Sequence, residues 1–150
     1  MDERNPQPET GALSFVVERN PHPVDPAKRA TLLADPGFGR VFTDHMVMIR
    51  YNDESGWHAP RVMPRGPLAI DPATAVLHYA QEIFEGLKAY RLTDGQMALF
   101  RPEANAQRFN ASARRLAMPE LPEELFIESL RQIVKIDKDW YPDVEGRSEE

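Results

Sequence analysis

The chain has 150 residues, 18 of them basic and 24 acidic, for a formal net charge of −6, and no cysteine. That length suits about one domain, which when complete buries ~70% of its unfolded surface. The acidic balance excludes a general nucleic-acid binder, which needs a basic face, although one well-placed arginine can still hold a small anion; the lack of thiols excludes a disulfide framework and a thiolate metal site.

Residues 1–12 are polar and proline-containing, which predicts a disordered start without the apolar core of a signal peptide. No run approaches the ~20 apolar residues of a bilayer span, so the expectation is a cytoplasmic protein with no membrane partner. The stretch LSFVVERN predicts a short strand with Phe15 and Val17 on one face. Asp25 followed by Pro26 signals an N-cap and a first helical position, and so a short helix to about Leu33. Pro36, Gly37 and Gly39 mark a loop. Arg40 to Tyr51 is rich in β-branched and aromatic residues and reads as a strand. A turn over residues 52–56 leads into a returning strand, WHAPRVMPR, which Pro60 and Pro64 mark as irregular or at an edge.

Asp71-Pro72 predicts the start of a short helix reaching Tyr79. The segment EIFEGLKAYRL is apolar on both faces and reads as a buried strand. Asp94-Gly95 is a hairpin signal, with MALFR pairing back. Pro102 opens a helix to about Ala117 with Arg101 as a poor N-cap, and Pro119 ends it. A second helix opens near Pro122, carries Glu123 and Glu124 where carboxylates favour the helix dipole, and runs to about Trp140 with Phe126, Leu130, Ile133 and Val134 on its apolar face. The tail from residue 143 is polar. Strands followed by two helices give an α+β class, an antiparallel sheet with helices packed on it.

Few side chains here could carry chemistry. On the helix from Pro102, residues Asn105, Arg108, Ser112 and Arg115 share one face, while Ala106, Phe109, Ala113 and Leu116 line another. From spacing alone this polar stripe faces water; the sharper alternative is an anion site, since a guanidinium is a fixed fork of donors suited to phosphate oxygens. By pattern alone Phe84 is a core residue and Tyr79 a buried aromatic with a satisfied hydroxyl. Gly86, inside a strand, marks close approach of a ligand or of another backbone. Phe38, between two glycines, is either an anchor for its loop or a residue placed for contact. Glu85 and Lys88 could pair, but strand alternation sets them on opposite faces. His22, His45, His58 and His78 have no ligand spacing, and Asp44 with His45 is too little for a metal or a triad.

The run HYAQEIFEGLKAYR (78–91), the segment FRPEANAQR (100–108), PGFGRVFTDHM (36–46) and DKDWYP (137–142) together resemble the small domain of the fold-type IV pyridoxal-phosphate enzymes, and among these the branched-chain amino-acid aminotransferases. The likeness runs from about Asp35 to Pro142, within a small domain expected over residues 13–142. It implies transfer of an amino group between leucine, isoleucine or valine and 2-oxoglutarate, with the 2-oxo acids and glutamate as the other partners and pyridoxal 5'-phosphate as cofactor. It further implies that Arg108 binds the cofactor phosphate, that Phe38 and Phe84 line the substrate pocket, and that Tyr79 reaches the site of a partner subunit in a homodimer. The family's Schiff-base lysine lies in a second, larger domain with no matching position here, so no residue of this chain is expected to be catalytic and the piece is expected to be inactive alone. Lys28, Lys88, Lys135 and Lys138 are not substitutes. Two alternatives remain: a non-catalytic small-domain module that pairs with a full-length subunit, and another reaction of the same fold, D-amino-acid transamination or aminodeoxychorismate lysis.

Overall fold

The computed structural model describes residues 14–141. The expectations of a disordered N-terminus over residues 1–12 and a polar tail from residue 143 therefore lie outside the described residues. Within them the class is α+β, as expected. Strand β1 (Val16–Val17), helix α1 (Pro26–Ala34), strands β2 (His45–Asn52) and β3 (Gly56–Pro64), helix α2 (Ala75–Tyr79), strands β4 (Ala89–Arg91) and β5 (Met97–Leu99), and helices α3 (Pro102–Arg115) and α4 (Glu123–Ile136) follow in order, with a 3-10 turn at Lys138–Trp140.

The larger sheet has the order β1-β3-β2. Its β2–β3 hairpin turns where Asn52 Oδ1 accepts the backbone N–H groups of Glu54 and Ser55 and Gly56 takes a positive φ of 61°. The prolines do make β3 irregular, since Ala59 and Pro60 together face Ile49 in a two-against-one bulge between Met48 and Arg50. They do not put it at an edge. The parallel strand β1 pairs with Arg61 and Val62, two of the three residues between the prolines, so β3 is central.

Several boundaries shift for local reasons. The strand expected from Arg40 starts only at His45; Asp44, just before it, has its carboxylate taken up by the Val24 N–H and the Trp140 indole. The helix expected from Pro72 starts at Ala75: Asp71 Oδ1 accepts the N–H of Ala73 at 2.7 Å, so Asp-Pro forms a turn and not a helix start. Helix α3 stops at Arg115, two residues early. There the N–H of Met118 reaches the carbonyl of Ala113 and that of Ala117 reaches Arg114, a Schellman closure with Ala117 left-handed at φ 53°.

The core lies where α3 and α4 cross onto β2. Ala106, Leu121, Leu125 and Phe126 are buried, with Phe15, Ile49, Trp57, Leu87, Phe109 and Leu130 packed around them. Phe109 and Phe126 meet at 5.4 Å between ring centroids. Asn110 faces the same interior, and its side-chain amide closes on both backbone groups of Leu121, donating to the carbonyl at 2.7 Å and accepting the N–H at 2.9 Å. That contact fixes the α3–α4 connection, and nothing in the helical pattern had marked it.

A second polar cluster joins distant parts of the chain. Asp137 Oδ2 accepts the backbone N–H of His45 at 3.1 Å, and its Oδ1 lies 2.6 Å from His45 Nδ1. The other ring nitrogen, Nε2, accepts the N–H of Asn20 at 2.8 Å, which assigns the proton to Nδ1. Asp44 accepts from Val24 N–H at 2.9 Å and from the Trp140 indole at 2.8 Å. All four side chains are buried. The two segments TDH and DKDW, far apart in sequence, thus form one clasp. The histidine–aspartate pairing is structural.

Candidate functional site

Helix α3 builds the site from one face. Pro102 sits in its first turn with Glu103, and Arg114 and Arg115 close its last, an arrangement that suits the helix dipole. The 3.6-residue period then sends Ala106, Asn110 and Ala113 inward and turns Asn105, Arg108 and Arg115 towards the side where residues 82–90 pass.

Residues 82–88 do not form the buried strand expected. Strand β4 spans only Ala89–Arg91, because its partner β5 ends at Leu99, opposite Ala89, and the chain then leaves through a left-handed Arg101 into α3. The segment before Ala89 still alternates. Ile83, Glu85, Leu87 and Ala89 point inward, whereas Phe84, Gly86, Lys88 and Tyr90 face out. The even positions therefore form an open face. Phe84 is 87% exposed and Tyr79 83%, so neither is the core aromatic that pattern alone suggests; Phe38, in its loop, is 88% exposed.

Glu85 is the one carboxylate in the inward row, and a buried charge needs a partner. Arg108 supplies it: Nε donates to Oε2 at 2.8 Å and Nη2 donates to Oε1. Asn105 donates from Nδ2 to the same Oε1 at 2.9 Å and to the carbonyl of Gly86 at 3.1 Å. The Glu85 side chain is only 5% exposed, that of Arg108 68%. The Arg108 fork holds the Glu85 carboxyl below the usual glutamate range; burial opposes this, and the Asn105 amide and the positive charge of Arg108 reinforce it. The guanidinium is in turn stabilised in its charged form by Glu85.

Arg108 and Phe84 are brought together. One open hollow is lined by Phe84, Glu85, Gly86, Lys88 and Arg108, and an adjoining one by Phe84, Arg108, Ser112 and Arg115 among others. Phe38 and Tyr79 line neither. A Cβ added at Gly86 would touch the Phe84 ring at 3.4 Å, an ordinary contact distance. The sequence pattern offers Glu85 only Lys88 as a partner. Its inward phase among Ile83, Leu87 and Ala89 was the signal that would have singled it out.

The site is thus an exposed aromatic beside a carboxylate-anchored arginine on a helix, a place for an anion with an apolar part. Comparison of sequences gives the class: over most of its length the chain is homologous to branched-chain-amino-acid aminotransferases. It is 57% identical over 137 residues to the branched-chain-amino-acid aminotransferase of Mycolicibacterium smegmatis, covering 91% of this chain and 37% of that protein. It is 55% identical over 137 residues to that of Mycobacterium tuberculosis, with the same coverage, and 51% identical over 112 residues to branched-chain-amino-acid transaminase 1 of Bacillus subtilis, covering 75% of this chain and 32% of that protein. The chain spans about a third of the length of these curated relatives. No protein-family model matches it. Among the described residues, no helix is long and apolar enough to cross a membrane.

Proposed function

We propose that this chain is the cofactor-phosphate and substrate-side portion of a pyridoxal-phosphate-dependent branched-chain amino-acid aminotransferase of fold-type IV. The observation that carries the reading is its identity to proteins of that name, 57% over nine-tenths of the chain. Arg108 fits the cofactor chemically. Its guanidinium is fixed on one side by Glu85, exposed on the other, and suited to a phosphate.

The placement of Arg108 and Phe84 side by side supports the following roles. Arg108 binds the phosphate of pyridoxal phosphate. Phe84, on the outward face beside it, contacts the aliphatic side chain of leucine, isoleucine or valine. Phe38 belongs to the same substrate pocket and Tyr79 to the site of a second subunit in a homodimer; both project from the described body, in keeping with residues that contact something beyond it. When bound, the cofactor supplies the electron sink for transamination with 2-oxoglutarate. The lysine that moves the proton lies outside the residues matched here, so the catalytic group is contributed by the remainder of a protein of the relatives' length.

The test is cofactor affinity in a protein of that length. Arg108→Ala should weaken pyridoxal-phosphate binding by about tenfold or more, the scale of a lost charge-assisted contact. An unchanged affinity would remove Arg108 from the site. The 150-residue chain alone should show no leucine–2-oxoglutarate turnover, and turnover by it would refute the division of roles.

A further inference from the structure

We infer that Glu85 is a positioning residue that orients the Arg108 guanidinium for a phosphate, an inference that rests on the reading of Arg108 given above. A guanidinium offers its five N–H groups along distinct edges in one plane. Glu85 occupies the side edge, taking Nε–H at 2.8 Å and one Nη2–H. The end edge, Nη1 with the second Nη2–H, makes no hydrogen bond among the described residues, and it belongs to a side chain that is 68% exposed. A phosphate can therefore bind the end edge in two-point fashion while the carboxylate keeps the side edge.

Glu85 can do this because it is itself fixed. Its side chain is almost fully shielded, and the Asn105 amide, three residues before Arg108 on α3, ties Oε1 and the neighbouring Gly86 carbonyl to the same helix. Seat and fork are thus held by one rigid element. An exposed arginine without that seat would lose considerable rotamer freedom on binding an anion. A second anion on the guanidinium is also a source of repulsion. However, the two edges point in different directions from the shared Nη2, and the phosphate edge belongs to a mostly exposed side chain, where water screens the charges. Orientation therefore outweighs repulsion, and Glu85 strengthens phosphate binding.

The experiment uses a protein of the relatives' full length and measures the dissociation constants of pyridoxal phosphate and of pyridoxal, which lacks the phosphate. Glu85→Gln should weaken pyridoxal phosphate about tenfold, as loss of an outer partner does for other bound groups, and leave pyridoxal unchanged. In an Arg108→Lys background, where no fork remains to be oriented, the same change should add nothing. If Glu85→Gln does not fold, Asn105→Ala removes the strap on Glu85 and should give a smaller loss with the same selectivity for the phosphate. Tighter or unchanged phosphate binding would make Glu85 a competitor or a bystander and overturn the proposal, as would equal losses for both ligands. If Arg108→Ala and Arg108→Lys themselves leave pyridoxal-phosphate affinity untouched, the phosphate reading falls first, and the positioning role with it.

Discussion

Two polar clusters of this chain use similar chemistry to opposite ends. In the clasp, Asp44, His45, Asp137 and Trp140 are all buried, and the partners named for their polar atoms lie within the chain. In the Arg108 cluster, the carboxylate is shielded but the arginine is mostly exposed, and three of its five N–H groups make no hydrogen bond among the described residues. Both contain an acid–base pair at short range. What separates the two is not the residue types but the number of donors left over. A saturated network specifies the fold, whereas a half-saturated one can receive a ligand.

This contrast can be broken experimentally. The largest effect should come from the clasp. Asp137→Ala orphans the ring N–H and backbone N–H of His45 in a buried setting, and should cost about 3 kcal/mol in urea unfolding. A loss no larger than that of a surface substitution would mean that the clasp does not organise the fold. Next comes Asn110→Ala, which leaves both backbone groups of Leu121 without their partner and should cost about 2 kcal/mol. Arg108→Ala should come third in stability, costing about 1 kcal/mol because the shielded Glu85 carboxylate loses its main partner, while cofactor affinity falls sharply; a loss as large as that of Asp137→Ala would place Arg108 with the clasp.

The smallest effect concerns pH. Because the carboxyl pKa of Glu85 is lowered in the folded chain, its ionisation contributes stability that is fully present above the ordinary glutamate range. That contribution is lost as the pH falls through the lowered folded value. Stability curves of wild type and Glu85→Gln should therefore differ at neutral pH and converge in acid. A difference that instead widened in acid would reverse the assigned sign.

Much of the element order was legible from local chemistry. Asp25-Pro26 opened α1, Asp94-Gly95 placed the β4–β5 turn, and Pro102 opened α3, because caps, turns and fixed φ values depend on a few adjacent residues. The shared face of Asn105 and Arg108 was likewise set by the helical period. The boundaries of α2 and α3 shifted through local hydrogen bonds, whereas the two larger departures turned on contacts between distant residues. Segment 82–88 had the composition of a buried strand but no ladder partner past Leu99, and β3 was central despite its prolines because β1 fits between them.

The sequence by itself determined the helices, the turns and a resemblance strong enough to point to Arg108, since spacing and capping are encoded within a few residues. Only the tertiary structure decided that Glu85 pairs with that arginine, that Phe84 lies outside the core, and that Asp44 and His45 serve the fold through Asp137 and Trp140. The physical reason is that burial and pairing across 23 or 92 positions depend on how whole elements pack, which no local pattern records.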